Sequence, residues 1–203
     1  TNVEISLTNG LTLNKLDSFI RPTDGNYYSF QNKIAQKNNY SETYIKNLLI
    51  FKKYNKIQKN ILSFQSKIGN ISSLGNKEIL SDNKFSMGGR WLRGFDSFGA
   101  GPRDSQSSYI GGKNLIVLKG DISRPITDQS DNPIDLNLFL DAGKLWDNKN
   151  SPNFSDESIR SSYGFGLKFY TPIGPVGFSW AFPILSETYD NKRMFLFSIG
   201  SVN

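Results

Sequence analysis

The chain has 203 residues, enough for one good-sized domain, and contains neither cysteine nor histidine. The first absence excludes disulfide scaffolds, cysteine zinc clusters and thiol catalysis, and the second removes the commonest general base and metal ligand. A net charge of +6, with lysines spread among asparagines, fits solubility better than a nucleic-acid groove, and 37% hydrophobic residues are too few for a bundle of membrane helices.

No apolar run approaches the roughly 18–20 residues of a spanning helix; the longest clean one is Leu115-Ile-Val-Leu118. Strands remain able to cross, since each needs only about 9–11 residues and turns every second side chain toward water. Thr1-Asn-Val-Glu-Ile-Ser has no basic-then-apolar signal. It opens inside an alternating pattern, which carries the expectation of a chain cut from something longer.

Val3, Ile5 and Leu7 alternate with Glu4, Ser6 and Thr8 over residues 1–13, a two-residue period that predicts a strand. Arg21-Pro-Thr-Asp-Gly25 is turn chemistry, and a tyrosine-rich run follows over 26–36. Residues 42–54 show helical spacing at Tyr44, Leu48 and Phe51, but their length and neighbours predict a strand. Over 59–69, Leu62, Phe64 and Ile68 alternate with Ser63, Gln65 and Lys67.

Residues 70–109 show no regular pattern. Within them Phe85-Ser-Met-Gly-Gly-Arg-Trp-Leu-Arg93-Gly-Phe95 runs on to Gly101-Pro-Arg-Asp104, and its glycines and proline rule out a regular helix. Three arginines and the aromatics Phe85, Trp91, Phe95 and Phe98 imply a loop packed against something.

Strands resume over 112–125. Residues 134–146 place Leu136, Leu138 and Leu140 on one face and Asp135, Asn137, Phe139 and Asp141 on the other. Over 158–170, Ile159, Tyr163, Phe165, Leu167 and Phe169 oppose Arg160, Ser162, Gly164, Gly166 and Lys168. After the Gly174-Pro175 turn, Val176, Phe178, Trp180 and Phe182 alternate with Gly177, Ser179 and Ala181, and a last strand covers 193–202. That makes about nine strands with one apolar face. Arg160 and Lys168 on the other face suit a wet barrel lumen better than a dry sandwich core.

Arg93 in a loop and Asp141 in a strand are natural partners if the loop folds back inside a barrel. The remaining acids read as unremarkable. Asp121, Asp128, Asp131 and Asp135 surround a polar turn bracketed by Pro125 and Pro133, while Asp147 and Asp156-Glu157 read as solvated loop ends. No phosphate-cradling glycine loop precedes a helix, so an enzyme is not expected.

Arg93-Gly-Phe95, Gly101-Pro102 and Phe139-x-Asp141-x-Gly143, in this order and followed by the strands from Arg160 to Pro183, resemble BamA-type assembly factors of the Omp85 superfamily. The resemblance is strongest over residues 85–200. It implies an all-β fold: a transmembrane antiparallel β-barrel, with residues 1–203 forming the carboxyl-terminal portion, about nine of sixteen strands. Periplasmic POTRA domains, expected upstream in such a protein, are absent from this sequence. A long extracellular loop, about residues 71–109, would fold into the lumen.

The resemblance further implies that Arg93, Gly94 and Phe95 at the loop tip lock against Phe139, Asp141 and Gly143 of the wall, with Gly89 and Gly94 permitting the tight tip. A wet lumen should weaken this pair below the about 3–5 kcal/mol lost when a fully buried pair is broken. Gly200 matches the last-strand glycine where the chain kinks at a lateral seam. The implied activity is the ATP-independent folding and insertion of nascent outer-membrane β-barrel proteins in the bacterial outer membrane. Assembly-complex lipoproteins, the lipid bilayer and lipopolysaccharide are the implied partners, with no nucleic acid, cofactor or metal. Asn39, Asn70 and Asn153 fit a glycosylation pattern that a bacterial setting makes coincidental. The ending Gly-Ser-Val-Asn203 departs from the terminal aromatic usual in such barrels. Two other readings stay open: a transport pore of the two-partner-secretion type and a soluble all-β binding module.

Overall fold

The computed structural model describes residues 3–37, 42–127, 133–147, 158–171 and 174–200. Nine strands form one antiparallel sheet, each bonded to the next: β1 (Glu4–Leu16), β2 (Gly25–Lys37), β3 (Glu42–Ile57), β4 (Asn60–Ser73), β6 (Asn114–Pro125), β7 (Ile134–Trp146), β8 (Arg160–Thr171), β9 (Gly174–Leu185) and β11 (Phe195–Ile199). A separate two-residue ladder joins β5 (Gly94–Phe95) to β10 (Lys192–Arg193). Most wall strands run 12 to 16 residues, about 40 Å or more when extended, which crosses a bilayer core with tilt. β1 and β11 are the two edges of the sheet.

The period-two pattern decides which side faces out. In β7, Leu136, Leu138 and Leu140 are exposed while Asp135, Asn137, Phe139 and Asp141 are buried, because successive side chains of a strand alternate across it. The outer face is a band of aliphatics and aromatics, including cross-strand pairs such as Phe165 with Trp180 at 5.5 Å and Tyr28 with Phe51 at 5.0 Å. The helical spacing in β3 is accidental: Tyr44 is buried inside, whereas Phe51 stacks with Phe64 outside.

The inner face is polar, and the sheet curls around it. Arg21, in the turn after β1, places Nη2 2.6 Å from the Asp135 carboxylate on β7. Four strands separate β1 from β7 in the sheet order, so this contact requires a trough rather than a flat sheet. Asp135 is therefore no ordinary turn acid; it is buried and paired.

The apolar core lies inside the trough, between wall and loop. Ile71, Leu115, Val117 and Leu145 from the wall meet Phe85, Met87, Leu92 and Phe95 from the loop. This end of the inner face carries the main apolar cluster, because here the loop shields it from water.

Several expectations shift. β4 continues through Ser73, so the loop covers 74–113 rather than 70–109. It also holds local order: a 3₁₀ turn at Ser81–Asn83 and bridges Phe85–Gly112, Met87–Ala100 and Arg103–Tyr109. Phe98 is exposed, with only an edge-on contact to Tyr109. Asn39, Asp128, Asp131, Asn153, Asp156 and Glu157 lie outside the described residues.

Leu140 sits midway along β7 with its side chain on the outer face. Leu140→Arg is expected to destabilise the intact protein in lipid vesicles by about 2–4 kcal/mol, the effect of a cation at the bilayer midplane. The shift in urea midpoint measures it, and an unchanged midpoint would show that this face does not meet hydrocarbon.

Candidate functional site: the loop tip against the wall

The loop is shaped before it docks. Gly89 N–H donates to Phe95 O at 3.0 Å and Trp91 N–H to Gly88 O at 3.2 Å, closing a tight tip. Met87 N–H donates to the Tyr109 hydroxyl at 3.1 Å, tying the tip to the returning arm. Burial pushes the Tyr109 hydroxyl up to about 12, so it stays protonated and available as that acceptor. Lys67 of β4 lies 3.9 Å from the centre of the Trp91 ring, seating the tip on the wall.

Arg93 projects from this tip into the wall. Its Nε and Nη2 donate to the Asp141 carboxylate at 2.7 and 2.5 Å, and its backbone N–H donates to the same group at 3.2 Å. Nη1 and Nη2 donate to Asp121 of β6 at 2.9 and 3.1 Å. The guanidinium carbon stands 3.5 Å above the Phe139 ring, and the Ser162 hydroxyl donates to Arg93 O at 2.5 Å. One side chain thus bridges β6 and β7, while its backbone reaches β8. A lysine could not do this, having neither the planar fork nor the flat face.

The site is largely shielded from solvent. Side-chain exposure is 7% for Arg93, 4% for Asp121 and 0% for Asp141. Burial alone would lower the Arg93 pKa, but Asp121 and Asp141 outweigh it and hold the group above its ordinary value. Arg93 is charged at every accessible pH. The expected wet, water-weakened pair is corrected here: the contact is direct and enclosed, because the apolar loop cluster seals it from one side.

The structure brings Arg93, Gly94, Phe95, Phe139, Asp141 and Gly143 into one neighbourhood. Phe95 is buried in the loop cluster. Gly94 has φ +93°, and a Cβ there would sit 3.1 Å from Ser162 Cβ. At Gly143 a Cβ would come within 2.7 Å of Met87 Sδ, so the wall needs glycine where the loop leans on it. Gly200 does not touch this cluster but shares a cavity with its Arg93 and Asp121. With φ +90° it follows β11 at its foot and lines a cavity with Arg90, Lys119 and Lys168.

Asp121 belongs to the site, although the polar turn that follows it makes it read as a turn acid in the sequence. The available signal was alternation: Lys119, Asp121 and Ser123 oppose Leu118 and Ile122, as their burial shows. Asp147 is likewise no solvated loop end. It is buried between Lys84 at 2.7 Å and Lys113 at 3.1 Å, anchoring the loop's base. Arg160 finds its partner in Asp190, Nε to Oδ2 at 3.0 Å.

A family comparison matches residues 1–202 to the Omp85 superfamily domain. The crystal structure of BamA from Haemophilus ducreyi lacking POTRA domains 1–3 superposes with a TM-score of 0.82 at 27% identity, covering 97% of this chain and 42% of that one. The outer membrane protein assembly factor BamA of Neorickettsia risticii is 26% identical over 210 residues, 99% of this chain and 28% of the relative. A SAM50-like protein of Schizosaccharomyces pombe is 32% identical over 140 residues, 65% of this chain and 29% of its own length. The chain therefore spans less than a third of these curated relatives.

Arg93→Ala leaves two buried carboxylates facing each other and is expected to destabilise the seated loop by about 3–5 kcal/mol. Replacing the whole cluster, as Arg93→Met with Asp121→Leu and Asp141→Leu, should recover part of that loss, since the guanidinium and both of its carboxylates leave together. Protease sensitivity of residues 85–99 in the intact protein reads both. Equal sensitivity of the single and triple variants would contradict the electrostatic account.

Proposed function

The chain belongs to the Omp85 superfamily, and on that premise we propose that it is the carboxyl-terminal barrel portion of a bacterial outer-membrane assembly factor. It folds and inserts β-barrel proteins into the outer membrane. The observation that carries this reading is the pairing of a rigid wall with a short edge strand. The Arg93 lock ties β6, β7 and β8 together, whereas β11 has five residues against twelve in β9.

A short edge strand followed by Gly200 forms a weak seam, and the N–H and C=O groups along its outer edge template an incoming strand once Arg90 and Arg193 release the Ile199 and Phe195 carbonyls. No nucleotide is needed, because each strand a client pairs satisfies backbone groups and buries apolar surface in lipid. The lock keeps the loop inside the lumen and the wall stiff while the seam yields. Nascent outer-membrane β-barrel proteins are the clients. The apolar outer band meets the bilayer and lipopolysaccharide, and assembly-complex lipoproteins join the intact protein as accessory subunits.

Conditional depletion of the intact protein is expected to lower the heat-modifiable, folded β-barrel proteins of the outer membrane. Wild-type re-expression should restore them, and Arg93→Ala should restore them several-fold less well. Unchanged levels of folded barrel proteins on depletion would reject the assembly role.

A further inference from the structure

The loop tip grips more than the wall. In the β5–β10 ladder Gly94 lies opposite Arg193 and Phe95 opposite Lys192. The pairing extends past both strands: Asp96 N–H donates to Asn191 O at 2.9 Å, and Asn191 N–H donates to Gly99 O at 2.9 Å. Arg193 adds a contact to Asp96 at 3.3 Å. At the far end of β11, Arg90 Nη2 donates to the Ile199 carbonyl at 3.3 Å, while Lys119 Nζ donates to Arg90 O at 2.6 Å. The loop therefore adds contacts near both ends of β11, beside the ladder that β9 forms from Met194 to Gly200.

The sequence explains why the segment divides. Phe195 pairs with Trp180, so the same register carried upward would set Lys192 opposite Pro183. Proline has no N–H to donate there. The chain instead leaves β9 at Met194, whose carbonyl still accepts from Ala181 N–H at 2.8 Å, and pairs with the loop. Gly99 permits the approach: a Cβ would sit 2.5 Å from Asn191 O.

We infer that Arg90 and the Gly94–Phe95/Lys192–Arg193 ladder are positioning elements for the edge strand β11, so that its pairing with β9 depends on the loop being seated. This rests on the reading of β11 as one side of the seam. Five residues give a strand little independent stability. The loop adds to the β9 ladder one bond from Arg90 at the Ile199 end and the Asp96–Asn191 and Asn191–Gly99 bonds at the other. Coupling of this kind is reciprocal: an incoming strand that draws β11 away from β9 weakens loop seating by the same factor that loop release weakens β11.

Hydrogen–deuterium exchange of the intact protein in lipid nanodiscs tests it. Arg90→Ala is expected to speed exchange of residues 195–199 about fivefold, the effect of losing one hydrogen bond, and to leave β7 unchanged. Arg90→Lys keeps a donor of similar reach and should return most of the protection. Gly99→Val breaks the ladder at the other end and should also free 195–199. Wild-type exchange of 195–199 in both Arg90→Ala and Gly99→Val would overturn the inference. Faster exchange there with undiminished barrel assembly would support the coupling while removing β11 from the seam, so the two readings fail separately.

Discussion

One guanidinium organises this structure. Arg93 divides its donors between Asp121 and Asp141 and rests on the Phe139 ring, tying a loop of some forty residues to three wall strands. Removing three charged groups from water is unfavourable unless their geometry is good and their hydrogen bonds are met. Here the Arg93 backbone N–H also bonds Asp141, and Asn137 adds a donor to Asp121 at 3.2 Å. The apolar cluster of Phe85, Met87, Leu92 and Phe95 removes competing water on the loop side. The cluster and the ion cluster support each other: each would be weaker if solvent reached it.

The rest of the sheet reflects two solvents. The outer face is mostly apolar, interrupted by the Asn9, Asn32 and Asn47 row, while the inner face is largely polar or charged outside the cluster under the loop. A soluble sandwich would show the opposite, with its apolar faces turned toward each other. Arg160 with Asp190 and Asp147 with Lys84 and Lys113 are ion pairs on the inner face and loop base, and Arg21 with Asp135 closes the trough at the other end. Likeness to a BamA structure and to BamA sequences agrees with this division of surfaces.

Much of the fold was legible because strand alternation is local. Leu136, Leu138 and Leu140 against Asp135, Asn137 and Asp141 can be read without knowing any neighbour. Errors arose where the pattern was interrupted or shared. Ile71 looked like loop because Asn70-Ile-Ser-Ser73 is polar, yet that stretch pairs with β3 and extends β4. Asp121 looked like a turn acid because prolines follow it closely, although its side chain faces Arg93 across the trough. Leu115 and Val117 broke the polar-inside rule because the loop, not water, covers them.

Residue order alone determined the strands, their apolar face, and an arginine-bearing glycine loop that had to pack somewhere. It marked Asp141 as a partner because that carboxylate sits on the polar face of a strand, within Phe139-x-Asp141-x-Gly143. Tertiary structure decided that a second carboxylate 28 residues from Arg93 shares the guanidinium, that the site is largely shielded from solvent, and that Arg90 reaches the end of β11. These contacts depend on how far the sheet curls and where the loop comes to rest, which are sums over many strand pairings rather than properties of any short stretch.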